Sequence, residues 1–237
     1  MQPHRCSRCG EERPPELVCP GCGAIQPLRD DASYFVALGL PDHPAVDPQA
    51  LESRYYALSR LLHPDRHQTS NPEQLARSVR ASAMLNQAYR TLRDVESRGR
   101  YWLRRLGDDL GRDNNRVPAP LAAFVFDVQE KLADLRAARG GIAVRGGIAV
   151  RGGRTARGGN AGGDALRRDV LAAGSEIAAR IDTERDVLRD LLEGWPTDEP
   201  ADGCESLATR TRRLKELLSE LSYLKTLDRE VRAGLEG

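Results

Sequence analysis

Apolar residues recur along this chain at helical spacing. Leu51, Tyr55, Leu58 and Leu62 fall at i, i+4, i+7 and i+11, a stripe that stops before Pro64. Asp47-Pro48 supplies an N-cap followed by proline at the first helical position. A second helix is expected to begin near Ser70–Pro72, with Leu85, Ala88, Tyr89 and Leu92 on one face. Joined by a short turn, the two helices make an antiparallel hairpin. Tyr34, Phe35 and Leu38, on a shorter helix ahead of Gly39, can pack across it.

The pattern returns further on. Leu121, Phe124, Val125, Val128, Leu132 and Leu135 keep helical spacing, as do Val170, Ile177, Ile181, Leu188 and Leu191. The last stripe, Leu207, Leu214, Leu217, Leu221, Leu224 and Val231, comes close to a 3.5-residue repeat. Three such stripes bury one another as a three-helix bundle, with a dimeric coiled coil as the alternative use of the last. The fold expected is mainly α.

Two regions break the pattern. Residues 1–30 are rich in Cys, Gly and Pro without periodicity, so something other than an apolar core must fold them. Residues 139–163 contain the repeat RGGIAVRGGIAVRGG, with Arg-Gly-Gly triplets beginning at Arg139, Arg145, Arg151 and Arg157. Glycine at that density costs about 1 kcal/mol per residue in a helix relative to alanine, which predicts a flexible insertion. The organisation expected is therefore a cysteine segment over 1–30, a helical hairpin domain over 31–107 and a polar linker over 108–119. The bundle follows over 120–237 and carries the insertion 139–163.

Charge narrows the functional classes. The 36 basic and 35 acidic residues almost cancel, so no global field steers the protein to nucleic acid or an anionic membrane. The Arg-Gly-Gly run leaves an RNA-binding adaptor open, although it has no aromatic residue for base stacking. No run of about 18 apolar residues exists to span a bilayer. No leader precedes Cys6, so a cytoplasmic location is expected.

Four of the five cysteines form two tight pairs, Cys6-Ser-Arg-Cys9 and Cys19-Pro-Gly-Cys22, nine residues apart. Each C-x2-C can supply one edge of a Zn–S4 tetrahedron. Gly10 and Gly23, directly after each second cysteine, permit the backbone a knuckle needs. Four ligands close the shell, so the zinc expected here is structural. Disulfides, redox pairs and an iron–sulfur cluster are the alternatives, and His4 is near enough in sequence to compete as a ligand.

His63-Pro64-Asp65 sits between the two hairpin helices. Proline fixes φ and pushes the preceding residue out of helical geometry, so an imidazole and a carboxylate stand on a stiff corner. His63, Asp65 and His67 lack a nucleophile and an orienting pocket, which argues against catalysis.

This corner, the opening stretch Tyr34-Phe35-Val36-Ala37-Leu38-Gly39-Leu40 and the later Leu85-Asn86-Gln87-Ala88-Tyr89-Arg90-Thr91-Leu92 together resemble a J-domain. Such domains stimulate ATP hydrolysis by an Hsp70-class chaperone through His-Pro-Asp. The resemblance implies a chaperone contact at His63, Pro64 and Asp65, with Arg54, Arg60 and Arg66 meeting acidic partner surface. The protein itself is then not an enzyme. Ser97-Arg98-Gly99-Arg100-Tyr101-Trp102-Leu103 and Leu221-Ser222-Tyr223-Leu224-Lys225-Thr226-Leu227 are similar to stretches of the HscB family of iron–sulfur co-chaperones, some members of which carry a paired-cysteine extension. That resemblance implies an HscA-like Hsp70 partner and an IscU-like scaffold protein, the latter met by Val125, Phe126 and Glu130. A J-domain protein with another client is the neighbouring reading.

Overall fold

The computed structural model describes residues 4–6, 8–13, 16–27, 32–68, 71–111, 117–139, 161–197 and 206–236. Cys204, the side chain of His4 and residues 140–160 of the expected insertion lie outside them. The chain divides into two compact units. One holds residues 1–108 with 189–207, and the other holds 109–188 with 208–237.

In the first unit, β1 (His4–Arg5) and β2 (Glu12–Arg13) pair antiparallel, and an isolated bridge joins Val18 to Ile25. Helix α1 (Tyr34–Ala37) is capped by the Ser33 hydroxyl, which accepts from Val36 N. Helix α2 (Pro48–Leu62) starts at Asp47, whose carboxylate accepts from Gln49 N at 2.9 Å. Helix α3 (Pro72–Arg93) starts likewise at Asn71, which accepts from Gln74 N at 2.8 Å. In each case the side chain satisfies an otherwise orphaned helical N–H, and proline occupies a position that needs no donor. Asp94 then adopts an extended backbone and caps α4 (Val95–Arg105) by accepting from Ser97 N.

Phe35, Leu38, Leu51, Leu62, Leu85, Ala88 and Leu92 form the hairpin core. Leu17 and Val18 join it from the cysteine segment. Tyr101 of α4 stacks on Tyr34 at 4.4 Å and accepts a hydrogen bond from Tyr34 N. The buried Arg98 guanidinium donates to Leu92 O at 2.8 Å and so caps the end of α3. Trp195, far along the chain, meets Trp102 edge-on at 6.0 Å, and its carbonyl accepts from His43 Nε2 at 2.8 Å. Because Ala45 N donates to Nδ1 of the same ring, His43 is the neutral Nε2–H tautomer in this arrangement.

The second unit is a bundle of α5 (Ala122–Arg139), most of α6 (Ala161–Glu193) and most of α7 (Leu207–Glu236). Val128, Leu132, Ile177, Leu188, Leu214, Leu221 and Leu224 are buried. The Arg180 guanidinium lies 4.1 Å over the Phe124 ring, joining α6 to α5. Gln129 donates to Glu230 at 2.8 Å, joining α5 to α7. Gly174 of α6 faces Val231 of α7. The insertion was expected to begin at Arg139, but that residue closes α5. Its guanidinium donates to Gly234 O and Leu235 O, carbonyls left unpaired at the end of α7. Residues 161–163 are likewise helical.

Candidate metal centre and docking corner

The two cysteine pairs fold by the same local device. Cys6 N donates to Glu11 O and Gly10 N to Cys6 O, while Cys19 N donates to Ala24 O and Gly23 N to Cys19 O. Both loops close through a glycine of positive φ, 74° at Gly10 and 69° at Gly23, where a side chain would be strained. The result brings Cys6 Sγ to 3.6 Å from Cys22 Sγ and Cys9 Sγ to 3.8 Å from Cys19 Sγ. All four sulfurs lie within 4.8 Å of one another. A tetrahedral ion with bonds of about 2.3 Å needs sulfur–sulfur edges of about 3.8 Å, so the donor set fits a single metal ion.

The local field favours one thiolate before any cation arrives. Backbone N–H groups of Cys9 and Arg8 draw the Cys6 thiol down to about 6. At Cys9 the Glu11 N–H acts in the same sense, but hydrogen bonding to Cys6 and desolvation outweigh it and push that thiol up to about 12. Cys22 is also raised: the Ala24 N–H is outweighed by desolvation and by the sulfurs of Cys6 and Cys19. Neighbouring thiols thus keep their protons as donors to the charged one. A dication removes that conflict by taking all four as thiolates, and its binding therefore releases protons.

At the hairpin corner, α2 ends with carbonyls that have no partner within the helix. Arg66 donates to Arg60 O at 3.3 Å, and His67 Nε2 donates to Leu61 O at 3.1 Å. Two hydroxyls of α3, Ser78 at 2.6 Å and Ser82 at 2.8 Å, donate to Leu62 O. Residues 64–67 form a 3-10 turn. His63 and Asp65 stay solvent-facing, with side chains 57% and 71% exposed. Asp65 N donates to His63 Nδ1 at 3.3 Å, leaving the Nε2–H side of the imidazole to point away from the turn. Gln68 donates to Asp65 Oδ1 at 3.0 Å.

The other expected partner-facing residues differ in what they do. Arg60 and Arg66 are exposed beside the corner. Arg54 is exposed as well but donates to Gly39 O at 3.1 Å, tying α2 to the turn after α1. In the bundle, Phe126 is 72% exposed and Glu130 shares its outward face, one helical turn along. Val125 is 6% exposed and packs inside the bundle, so its expected place on a partner surface gives way to a packing role. Gln26 and Trp195 carry no periodic or spacing signal, and only the folded chain brings them to the cysteines and to α4.

No family model matches the chain. Curated relatives do. It is 36% identical over 111 residues to a protein named co-chaperone protein HscB homolog of Bordetella petrii, covering 47% of this chain and 64% of that one. It is 28% identical over 138 residues to the iron-sulfur cluster co-chaperone protein HscB of Mus musculus, covering 56% and 59%. The chain thus spans less than two thirds of the length of these relatives. Among solved structures, human HscB aligns over 97% of this chain and 98% of its own, with a TM-score of 0.62 at 21% identity. HscB from Vibrio cholerae aligns over 85% and 96%, with a TM-score of 0.52 at 20% identity. In sequence over about half its length this mainly helical chain is similar to proteins named HscB, and over nearly all of its length it shares the fold of solved HscB structures.

Proposed function

We propose that the protein is a co-chaperone of iron–sulfur cluster assembly, one that stimulates ATP hydrolysis by an Hsp70-class, HscA-like partner and presents to it an IscU-like scaffold protein. The observation that carries this reading is the His63-Pro64-Asp65 corner, exposed to solvent and placed directly after helix-end carbonyls that His67, Ser78 and Ser82 tie down. Asp65 offers a carboxylate for a charge-assisted bond to a partner arginine, the kind that is short and directional. Arg60 and Arg66 add positive charge around it. The His63 imidazole presents its Nε2–H as a donor.

The α5 face bearing Phe126 and Glu130 receives the scaffold. An exposed phenylalanine beside a carboxylate suits a partner with an apolar pocket rimmed by basic residues. Coupling is then a matter of proximity, because holding the client raises its effective concentration at the chaperone that the corner activates. The four cysteines hold zinc in a structural role: four thiolates leave no coordination position for water or substrate.

The direct test is steady-state ATPase of the Hsp70 partner, with the full chain added in the presence and absence of scaffold. Stimulation should occur with the chain alone and increase when scaffold is present. A chain that leaves the ATPase at its basal rate removes this function.

Phe126→Ala separates the two contacts. It should weaken scaffold binding, measured by calorimetry, by about 2 kcal/mol, roughly 30-fold. Its thermal melting should match wild type because that ring is already in water. Unaltered scaffold affinity would move the contact to another face.

A further inference from the structure

Gln26 belongs to neither cysteine pair, yet it is 4% exposed, with its carboxamide turned toward Cys6 Sγ. Nε2 donates to Cys6 Sγ at 3.3 Å and to Ala24 O at 3.0 Å. A carbonyl oxygen only accepts, and so does a thiolate; the group lying between them must be the NH2 end of the amide. That group carries two N–H bonds, and both are used. Cys6 comes from the first knuckle and Ala24 from the second, so one side chain bridges the two loops. The backbone N of Gln26 donates to Leu17 O at 2.9 Å, closing the base of the second loop.

We propose that Gln26 is a positioning residue for the metal: its N–H bond to Cys6 Sγ fixes the first knuckle against the second and offsets thiolate charge. The proposal rests on the reading that the four cysteines bind zinc. Four thiolates around a dication carry a net charge of −2, and in a half-buried site that excess is stabilised by donors aimed at the sulfurs. Arg8 N supplies one such bond to Cys6, at 3.4 Å, from the same loop. Gln26 supplies the bond that comes from the other loop. Residues of this outer shell typically change metal affinity by 10–100-fold.

The test is zinc affinity of the full chain by competition with a chromophoric chelator, for wild type, Gln26→Met and Gln26→Glu. Methionine keeps length and bulk but has no donor, and it should weaken zinc binding about 10–100-fold. Glutamate turns a negative group toward Cys6 and should weaken it further. In the cobalt-substituted protein, the thiolate-to-metal charge-transfer band of Gln26→Met should shift, because one sulfur has lost a hydrogen bond. Cadmium-substituted wild type should show scalar coupling between the metal and the Gln26 side-chain NH2 protons, a measurement that stands even if a variant does not fold. Wild type that takes up no zinc overturns the metal reading itself. Wild type that binds zinc, with equal affinity in Gln26→Met or with no coupling to the Gln26 amide, overturns this proposal alone.

Discussion

Exchanging His63 for glutamine is expected to weaken stimulation of the proposed Hsp70 partner sharply while leaving the fold intact. The two halves of that expectation come from different atoms. The carbonyls at the end of α2 are satisfied by Arg66, His67, Ser78 and Ser82, none of which is substituted. The His63 side chain is 57% exposed, so little packing is lost. The ring's one turn contact, accepted from Asp65 N at 3.3 Å, can be taken over by the glutamine carbonyl, so the change in stability should stay within about 1 kcal/mol and melting close to wild type. At the partner the balance differs, because in the proposed docking the imidazole would become a buried contact. Loss of one such anchor costs about 2 kcal/mol or more, at least roughly 30-fold in affinity. ATPase titrations with wild type and His63→Gln decide it. Equal stimulation by the two proteins would take the corner out of the mechanism.

Withholding the proposed metal from the four cysteines is expected to weaken the α2–α3 hairpin as well as the knuckle. Cys19 is 3% exposed and directly follows Leu17 and Val18, which are 2% and 6% exposed and belong to the hairpin core. Without an ion, the paired loops lose the bonds that close them, and a short segment of this composition has little else to fold it. Leu17 and Val18 then leave the core, and each buried side chain of that size contributes about 1.5–3 kcal/mol. Together they account for several kcal/mol, which corresponds to a fall in melting temperature on the order of 10 °C or more. Melting curves with and without chelator, and of Cys19→Ser with zinc present, report it. A chelated protein that melts with the native one would mean that the cysteine segment stands apart from the hairpin energetically.

The elements were legible where local rules act alone. Asp47-Pro48 announced the start of α2 because an N-cap and a first-turn proline are one-residue signals, and both do as expected. The cysteine pairs were legible from spacing, since two residues between ligands suffice to form an edge of a tetrahedron. The break between α3 and α4 was not separately expected. Asp94 there is a single polar residue in a continuing helical pattern, and its extended backbone and its hydrogen bond from Ser97 N mark the new start. Val125 shows how far a stripe can be trusted: its periodicity pointed inward and its burial agrees, while the family resemblance had turned it outward. Gln26 was invisible because a lone glutamine has no pattern, and its partners come from 2 and 20 positions away.

The Trp195 contact bears on how the molecule can be dissected. A gene cut after Asp108 would encode every residue of the hairpin, yet its product would lack the indole that meets Trp102 and the carbonyl that accepts from His43. Such a fragment would carry bare aromatic surface and tend to self-associate. Supplying residues 189–207 in trans as a peptide, or grafting them on behind a short spacer, is the rational remedy for anyone seeking the isolated module.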